Sequence, residues 1–330
     1  MIIDDRPTVS AVIRSFNEER GLPRLLHGLS RQTYPPSEVI LVDSGSTDST
    51  VLIAEQFGCK VVHIEQGEFS FGRALNVGLA EAAGEIALLA SAHVYPVYDS
   101  WIAELVRPFR YRDRVAISYG RQVTPPNGRY SEGRLLEQWF PATSNQHQTA
   151  PFHNNANAAV RRDVWRELPY DEELTGLEDL DFGKRALAEG YEIAYIAEAM
   201  VVHVHDESVQ QIINRYRREA IAHKNIYPDQ AMSAARAIRL ALANVLGDLR
   251  AAATEGRTAK VTPDVVRFRA AQFLGSWQGF SQRGPMTEEL HRHFYFPAAT
   301  GGDRAVPVAT SVGSVIHYID TDEAEFGTRD

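Results

Sequence analysis

The sequence predicts an α/β fold, in which a mostly parallel central sheet has helices on both faces and is followed by a helical C-terminal extension. Three observations lead to this prediction. Short β-rich runs alternate with helical stretches over the first two thirds of the chain, as in parallel sheets with helical crossovers. Several of these runs are almost continuously apolar, which is typical of strands buried on both faces. From about Asp206 the chain becomes rich in Ala, Arg and Glu, which favour helices.

The first hundred residues contain four strand candidates separated by turns and helical stretches. The strands are predicted at residues 9–16, 38–42, 60–64 and 86–90. The helices between them are predicted at residues 22–31, 50–57 and 73–83. Gly58 and Gly84 follow the last two helices, where a left-handed C-cap is common.

The same alternation continues through the middle of the chain. Helices are predicted around residues 100–110 and 179–189, and strands at residues 115–119, 192–196 and 199–203. Three helical windows follow, at residues 210–225, 230–250 and 262–283. We therefore predict an α/β domain over residues 1–205, a helical region over 206–296, and an extended or partly disordered tail over 297–330.

Charge, cysteine content and hydropathy exclude several classes of protein. The 330 residues carry 34 Lys and Arg against 43 Asp and Glu, and the net charge of −9 argues against a protein that binds nucleic acid by neutralising phosphates. The single cysteine, Cys59, cannot form an intramolecular disulfide, which fits a reducing compartment. No apolar run approaches the roughly 20 residues that span a bilayer. We expect a cytoplasmic protein, with attachment to the inner face of the membrane left open.

Polar side chains follow three of the predicted strands, at the edge where open α/β sheets bind ligands. The three segments are Ser15-Phe16-Asn17-Glu18, Asp43-Ser44-Gly45-Ser46 and Ser91-Ala92-His93. A carboxylate such as that of Asp43 can accept a hydrogen bond from an N–H group of a nucleobase. Capping of the following helix by Asp43 and Ser46 explains the second segment equally well.

The order of the motifs is more specific than any one of them. The runs SAVIRSFNEE, LVDSGSTDST and FSFGRALNVGLAEAAGEIALLASAHVYP are followed by NNANAAVRRDVW and by YDEELTGLEDLDFGKRALAEGYEIAYIAEAMVVHVHDES. From about residue 8 to 220 the series resembles family 2 glycosyltransferases with the GT-A fold, and its second half is similar to their rhamnosyltransferase-like branch. The resemblance implies a Rossmann-like nucleotide-sugar domain over residues 1–205. The helical region would then shape the acceptor side or an oligomer interface.

The resemblance also implies which residues bind the donor. They are Ser15, Phe16, Glu18, Asp43, Ser44, Arg73, Asn76, Ser91 and Arg215. The strand-end residues would flank the nucleobase, with Asp43 on its edge, and Arg73 and Asn76 would face the ribose and phosphates. A guanidinium complements a diphosphate because it is always charged and donates in a planar fork. A solvated helix start is the alternative explanation for Arg73.

Glu178 and Asp179 match the acidic pair at the start of a helix in this family. In inverting members, the Asp deprotonates the acceptor hydroxyl, which requires a carboxylate within hydrogen-bond reach. Helices favour acids in the first turn anyway, so helix stabilisation is the alternative. The acceptor pocket is expected to include Asn155 and Asn157, whose amides both donate and accept, and Trp139, which can stack on a sugar ring.

The predicted metal site departs from the family pattern. Family members normally have Asp-x-Asp where this chain has Ser91-Ala92-His93, and imidazole suits Mn²⁺ or Zn²⁺ better than Mg²⁺. His203 and His205 would point the same way along one strand, and His203 matches a family position that completes the metal shell. Three alternatives stay open. In the first, a divalent ion (Mn²⁺ or Mg²⁺) is the cofactor, and His93 with His203 or His205 binds it as a transition metal. In the second, His93 donates directly to the diphosphate in a metal-independent enzyme. In the third, the site is structural or degenerate.

Together these features predict an inverting glycosyltransferase that moves a sugar from a UDP- or dTDP-linked donor to a hydroxyl of a saccharide or lipid-linked acceptor, in polysaccharide or glycoconjugate synthesis. The missing Asp-x-Asp motivates one alternative, a non-catalytic nucleotide-sugar-binding subunit. A sugar nucleotidyltransferase is the other, although the chain lacks a Gly-rich phosphate loop followed by Lys. The expected partners are the donor, the acceptor, a membrane surface met by basic C-terminal helices, and a second copy of the chain, but no nucleic acid.

Overall fold

A computed structural model describes residues 6–282 and 313–318 of the chain, and these residues form one mixed sheet with helices around it. The strands are β1 (Val9–Ser15), β2 (Glu38–Asp43), β3 (Lys60–His63), β4 (Ile86–Ser91), β5 (Val94–Pro96), β6 (Val115–Val123), β7 (Asn145–Gln148), β8 (Asn157–Arg161) and β9 (Glu192–His203). The helices are α1 (Leu22–Ser30), α2 (Thr50–Gln56), α3 (Phe71–Glu81), α4 (Trp101–Tyr111), α5 (Tyr130–Trp139), α6 (Arg162–Glu167), α7 (Glu178–Ala188), α8 (Val209–Ile226), α9 (Ala234–Thr254) and α10 (Thr258–Ser281).

The strands lie in the order β3-β2-β1-β4-β8-β6-β9-β5, and β7 pairs with β9 outside this path. Within the described residues, β1, β2, β3, β4, β6 and β9 run in one direction, whereas β5, β7 and β8 run against them. The predicted mostly parallel sheet is therefore confirmed. β8 separates β4 from β6 because it pairs antiparallel with both.

Two hydrophobic cores lie on opposite faces of this sheet, which confirms the predicted helices on both faces. Alternate residues of β1 show the division: Val12 packs with α3 and α7, whereas Ile13 packs with α1 and α4. Successive side chains of a strand point to opposite faces, so an almost continuous apolar run is what a doubly covered strand requires. The largest fully buried side chain, Trp101 of α4, belongs to the second core.

The middle of the chain differs from the sequence prediction. β5, β7, β8, α5 and α6 were not predicted, and the two strands expected at 192–196 and 199–203 form the single strand β9. β9 stays continuous because it pairs with β6 on both sides of a register shift, between Gly120 and Gln122, which absorbs the irregularity. β8 begins in an asparagine-rich segment whose composition is typical of turns.

The three predicted C-terminal helices are present as α8, α9 and α10. They pack on one another and on α5, where apolar side chains of α8 and α10 meet Leu135. The predicted end of the last helix, at residue 283, lies outside the described residues. In the predicted tail, Val315 forms an isolated β-bridge with Tyr98, and Ile316 donates its backbone N–H to Val97 O at 2.9 Å. None of the helices in the described residues is long and apolar enough to cross a membrane.

Candidate active site

Three of the predicted polar segments meet at the carboxyl edge of the sheet. β1 lies between β2 and β4, and the register pairs Ser15 with Asp43 and Arg14 with Ser91. The carboxyl ends of these parallel strands therefore lie at one level, side by side. This is the crevice in which open α/β sheets bind their ligands.

The carboxylate of Asp43 closes the turn after β2. Its Oδ2 accepts hydrogen bonds from the backbone N–H groups of Gly45 at 3.0 Å and Ser46 at 3.1 Å, and it lies 3.4 Å from Nδ1 of His63. Nearby, the buried hydroxyls of Ser15 and Ser44 have no hydrogen-bond partner within the described residues. Asp43 thus organises its own turn, beside two buried serine hydroxyls.

Glu18, predicted beside the nucleobase, points toward another predicted site. Its backbone N–H donates to Thr50 Oγ1, and its Oε1 lies 2.6 Å from Nδ1 of His93. Phe16, two residues earlier, is half-buried, and Asn17 between them adopts a φ of 54°, a region that Asn tolerates better than most residues. The structure therefore joins Glu18 to the predicted metal ligand His93.

The two residues predicted near the ribose and phosphates differ in their freedom to bind. Arg73 is half-exposed and pairs with Glu68 at 2.9 Å and Glu172 at 3.5 Å, both exposed contacts that a ligand can replace. Asn76 instead uses its whole amide, donating to Tyr170 O and Glu172 Oε1 and accepting from Trp165 Nε1 and the Tyr170 N–H. Asn76 therefore ties α3 to residues 165–172.

Asp179 lies in the first turn of α7. The residue before the helix acids, Leu177, adopts a left-handed conformation with a φ of 55°, which is uncommon for a branched side chain and occurs mostly at functional turns. Asp179 Oδ1 accepts from the backbone N–H of Leu180 at 2.8 Å. Burial, together with the neighbouring charge of Glu178, raises the pKa of Asp179 to about 8.

An ion pair between Glu178 and Arg14 lies beside Asp179. Glu178 Oε1 is 3.1 Å from Arg14 Nη1 and also accepts from Asn155 Nδ2 at 3.4 Å. The amide oxygen of Asn155 accepts from the Tyr170 hydroxyl at 3.1 Å. The structure therefore brings together β1, the segment before β8 and the start of α7 around the carboxylates of Glu178 and Asp179. Glu178 is the one in an ion pair.

The other two predicted acceptor residues have different surroundings. Asn157 is fully buried, where it accepts from Trp101 Nε1 and donates to the carbonyls of Arg121 and Ala199. Trp139 is 40% exposed at the end of α5. Asn157 thus holds β8 to its neighbours, and the partly exposed ring of Trp139 lies 6.3 Å from that of Phe152.

A histidine cluster, made of His93, His203 and His205, occupies the gap between the end of β4 and the end of β9. One ring nitrogen from each residue lies within 4.8 Å of those from the other two. The register of β5 with β9 produces this arrangement, because the residue after His93 pairs with His203. The predicted convergence of the three histidines is therefore present in the structure.

Each ring of the histidine cluster is held at Nδ1 by an acceptor. The three Nδ1 contacts are Glu18 Oε1 to His93 at 2.6 Å, Gln122 Oε1 to His203 at 2.6 Å, and Glu132 Oε1 to His205 at 2.7 Å. Carboxylate and amide oxygens accept hydrogen bonds, so Nδ1 carries the hydrogen and Nε2 is left for another partner. Nε2 of His203 is buried and without a partner in the described part of the chain.

Charges around the histidine cluster differ strongly from ring to ring. Burial and the neighbouring rings lower the pKa of His203 well below its usual value, so that its ring is neutral. Burial alone would lower the pKa of His93, but the Glu18 carboxylate raises it. Burial opposes ionisation of Glu132, yet His205 and Arg215 hold its pKa at about 2.

Arg215, predicted to contact the diphosphate, pairs with Glu132, the residue that accepts from Nδ1 of His205. Its Nη2 lies 3.1 Å from Glu132 Oε1 and 2.7 Å from Glu207 Oε2, with all three side chains mostly buried. Arg215 therefore connects α8 to the histidine cluster through Glu132.

The residues present fit a divalent cation of the borderline class. The donor set consists of three imidazoles, one with an unpartnered buried nitrogen, and acceptors fix the other nitrogen of each ring. Sequence reasoning missed Arg14, Gln122 and Glu132, although two of them interrupt apolar strands. A charged or amide side chain inside a buried strand is the signal that finds such residues.

The sequence profile described as "Glycosyl transferase family 2" matches residues 10–168, from β1 through α6. The chain therefore contains a family 2 glycosyltransferase domain. The matched region includes Ser15, Asp43, Ser91 and His93 and ends before the acids of α7.

Curated proteins similar to this chain are themselves named as glycosyltransferases. It is 29% identical over 230 residues to the O-antigen chain rhamnosyltransferase WbaN of Salmonella anatum, covering 66% of this chain and 70% of the relative. It is 28% identical over 211 residues to the glycosyltransferase AglE of Haloferax volcanii, covering 60% of this chain and 67% of that protein. The resemblance to the rhamnosyltransferase-like branch is confirmed.

Solved structures share the fold of this glycosyltransferase. The mannosyltransferase PcManGT from Pyrobaculum calidifontis, in complex with GDP-Man and Mn²⁺, has a TM-score of 0.58 at 19% identity, covering 83% of this chain and 87% of that one. Glucosyl-3-phosphoglycerate synthase from Mycobacterium tuberculosis, in complex with Mg²⁺ and uridine-diphosphate, has a TM-score of 0.51 at 20% identity, covering 67% and 79%. These likenesses establish the GT-A fold.

Proposed function

We propose that this family 2 glycosyltransferase transfers a hexosyl or deoxyhexosyl group from a UDP- or dTDP-linked donor to a hydroxyl of a saccharide or lipid-linked acceptor, with inversion at the anomeric carbon. The observation that supports this most is Asp179, a carboxylate of raised pKa at the carboxyl edge of the sheet. Relatives named as O-antigen rhamnosyltransferases favour a deoxyhexose and polysaccharide synthesis.

Asp179 acts as the general base in this proposal. The acceptor oxygen attacks the anomeric carbon while Asp179 takes the hydroxyl proton, and the bond to the phosphate oxygen breaks with its electron pair leaving on the diphosphate. Attack opposite to the leaving group inverts the anomeric centre. A carboxylate whose pKa lies near the working pH is well matched to this task.

Glu178 and Arg14 position that base rather than act on the substrate. Their ion pair holds the start of α7 against β1, and Glu178 orients Asn155 beside the acceptor pocket. The charge of Arg14 also keeps the two adjacent carboxylates compatible, because two uncompensated like charges would suppress ionisation of Asp179 further.

The nucleoside diphosphate would lie along the ends of β1, β2 and β4. The buried hydroxyls of Ser15 and Ser44, which have no hydrogen-bond partner in the described residues, would bind beside Asp43, and the half-exposed guanidinium of Arg73 offers charge to the phosphates. Ser91 would contact the ribose. The histidine cluster would hold a divalent ion there, which when bound neutralises charge on the leaving diphosphate.

A nucleotide and metal panel tests this proposal. Thermal shifts are measured with UDP, dTDP, GDP and CMP, each with EDTA, Mg²⁺ or Mn²⁺, and then release of nucleoside diphosphate from UDP- and dTDP-sugars is measured with an acceptor glycoside. Inversion is read from the anomeric coupling constant of the product by NMR.

The outcomes separate the alternatives. Stabilisation by UDP or dTDP together with transfer and inversion supports the proposal. Tight nucleotide binding without turnover under any metal indicates a non-catalytic binding subunit. Pyrophosphate release from a nucleoside triphosphate and a sugar phosphate indicates a nucleotidyltransferase.

A further inference from the structure

We infer that the histidine cluster is a site for a transition-metal ion such as Mn²⁺, Co²⁺ or Zn²⁺ that discriminates against Mg²⁺, and that Glu18, Gln122 and Glu132 produce this preference by orienting the three rings. The inference deepens the metal-binding part of the proposed function. It rests on that function only for what the ion does, not for whether it binds.

Hydrogen bonds to Nδ1 set the tautomer of each neutral ring in the histidine cluster. Every ring of the histidine cluster has an oxygen acceptor within 2.7 Å of its Nδ1. Two of these acceptors are carboxylates, which cannot donate when ionised, so Nδ1 donates, and in the neutral ring it is Nε2 that carries the lone pair. A carboxylate or carbonyl on the far nitrogen is the usual support of a metal-bound histidine, because it fixes the ring and strengthens the ligand.

The ring nitrogens of the histidine cluster lie close enough together to share one ion. Ring nitrogens from all three residues lie within 4.8 Å of one another, and the rings of His203 and His205 have centroids only 4.0 Å apart. Metal–nitrogen bonds of about 2.1 Å place two ligands at most about 4.2 Å apart, so shifts below about 1 Å in each ring suffice. Nε2 of His203 is buried and lacks a hydrogen-bond partner in residues 6–282 and 313–318. A buried nitrogen with a free lone pair is stabilised by a cation.

The nitrogen ligands of the histidine cluster favour a transition metal. Mg²⁺ demands oxygen ligands and keeps most of its waters, whereas imidazole nitrogen suits first-row transition metals. The place that the family reserves for a carboxylate ligand holds His93, and the carboxylates of Glu18 and Glu132 bind Nδ1 of His93 and His205. Three protein nitrogens leave further coordination positions for diphosphate oxygens.

The rigidity of the Nδ1 acceptors supports the same conclusion. Glu132 is buried and is shared between His205 at 2.7 Å and Arg215 at 3.1 Å, so its carboxylate cannot easily swing toward an ion. The loop that carries Glu18 is pressed against the segment of His93: a Cβ on Gly21 would lie 2.9 Å from Ala92 O and 3.0 Å from His93 Cα. The acceptors are thus fixed before any ion arrives.

The test measures metal binding directly, without donor or acceptor. Tag-free protein is stripped with EDTA, exchanged into metal-free buffer and titrated with Co²⁺ while the visible absorption bands of the bound ion are followed. We expect one equivalent of Co²⁺, displacement by Zn²⁺, and no displacement by about a thousand-fold excess of Mg²⁺. His203→Ala and His205→Ala should lose the bands. His147→Ala is the matched control, because His147 also lies beside a glutamate, at 3.5 Å from Glu192, but outside the cluster.

Variants of Glu18 test whether the acceptors of the ring Nδ1 atoms contribute to metal binding. Glu18→Ala should weaken Co²⁺ binding by about 10- to 100-fold, whereas Glu18→Gln, which keeps an oxygen acceptor for Nδ1 of His93, should recover most of it. Equal loss in both variants would show that the charge of Glu18 matters rather than its acceptor.

Separate outcomes overturn the inference and the proposed function. Absence of stoichiometric Co²⁺ binding, or displacement by equimolar Mg²⁺, overturns the inference, and transfer that persists in EDTA would then show the histidines donating directly to the diphosphate. Co²⁺ binding without any sugar transfer supports the inference and removes the proposed function.

Discussion

Arginine–carboxylate pairs are buried in both halves of this molecule, and they differ in what surrounds them. In the C-terminal helices, Arg269 of α10 grips Asp248 of α9 with two hydrogen bonds, from Nε at 2.8 Å and Nη2 at 3.0 Å. Ser131 donates its hydroxyl to the same carboxylate at 2.6 Å, and Gln272 accepts from Nη1 at 2.9 Å. Every group of this pair has a partner.

At the carboxyl edge of the sheet, by contrast, the hydrogen bonding of the buried ion pair is incomplete within the described residues. Arg14 reaches Glu178 with one hydrogen bond, at 3.1 Å, while its Nε is buried without a hydrogen-bond partner among the described residues. Asp179, adjacent to Glu178, has a raised pKa. A buried ion pair in which every polar atom has a partner fixes how helices pack. An ion pair beside a second carboxylate of raised pKa is instead suited to a site that moves a proton.

The largest effect should come from Asp179→Asn. The amide has nearly the same shape but cannot accept the acceptor proton, so we expect transfer to fall about 10²- to 10⁴-fold, with nucleotide affinity within a few-fold of the native protein. Turnover and UDP binding are measured separately. Asp181→Asn is the control, since Asp181 shares the first turn of α7 but pairs with Arg185 at 2.7 Å. Native-like turnover in Asp179→Asn would remove this residue from the base role.

Asp248→Ala should have the largest effect on stability. It leaves the guanidinium of Arg269 buried without its carboxylate, which costs about 3–5 kcal/mol. The free energy of unfolding is measured by denaturant titration. Asp264→Ala, which removes a half-exposed partner of Arg129, should cost at most about 1 kcal/mol. Similar losses in the two variants would contradict the importance of burial.

Glu178→Gln should change the pH dependence of transfer. A general base works only when ionised, so activity of the native enzyme should be present above the pKa of Asp179, near 8, and lost as the pH falls through it. Removing the charge of Glu178 frees Arg14 to face Asp179 and lowers that pKa, so the acidic limb of kcat/KM should move down by about one pH unit or more. Glu173→Gln, an exposed neighbour, should leave the limb in place. An unmoved limb in Glu178→Gln would mean that another group titrates.

Ser131→Ala should give the smallest effect. It removes one hydrogen bond to the Asp248 carboxylate and should lower the free energy of unfolding by about 1–2 kcal/mol, without changing the pH profile of transfer. Ser276→Ala serves as control, because the Ser276 hydroxyl donates to a carbonyl of its own helix, that of Gln272, at 2.9 Å. If Ser131→Ala shifted the pH profile, the two buried pairs would be coupled, and the contrast between them would fail.

Much of the fold could be predicted from the sequence, because burial patterns are local. The runs at 38–42 and 86–90 appear as β2 and β4, each one residue longer than predicted, and the helix of residues 73–83 appears as α3, displaced by two residues. β8 and α5 escaped prediction because their sequences are polar or mixed, and only pairing or packing with distant elements makes them strand and helix.

The sequence by itself determined the sheet, the order of the motifs and the residue types at the carboxyl edge, including the three histidines. Tertiary structure alone decided their partners. Gln122 and Glu132 reach His203 and His205 across 81 and 73 residues, and Arg14 meets Glu178 across 164. The physical reason is that the hydrogen-bond partner of a buried polar group is set by which elements pack against it, and periodicity along the chain carries no information about that packing.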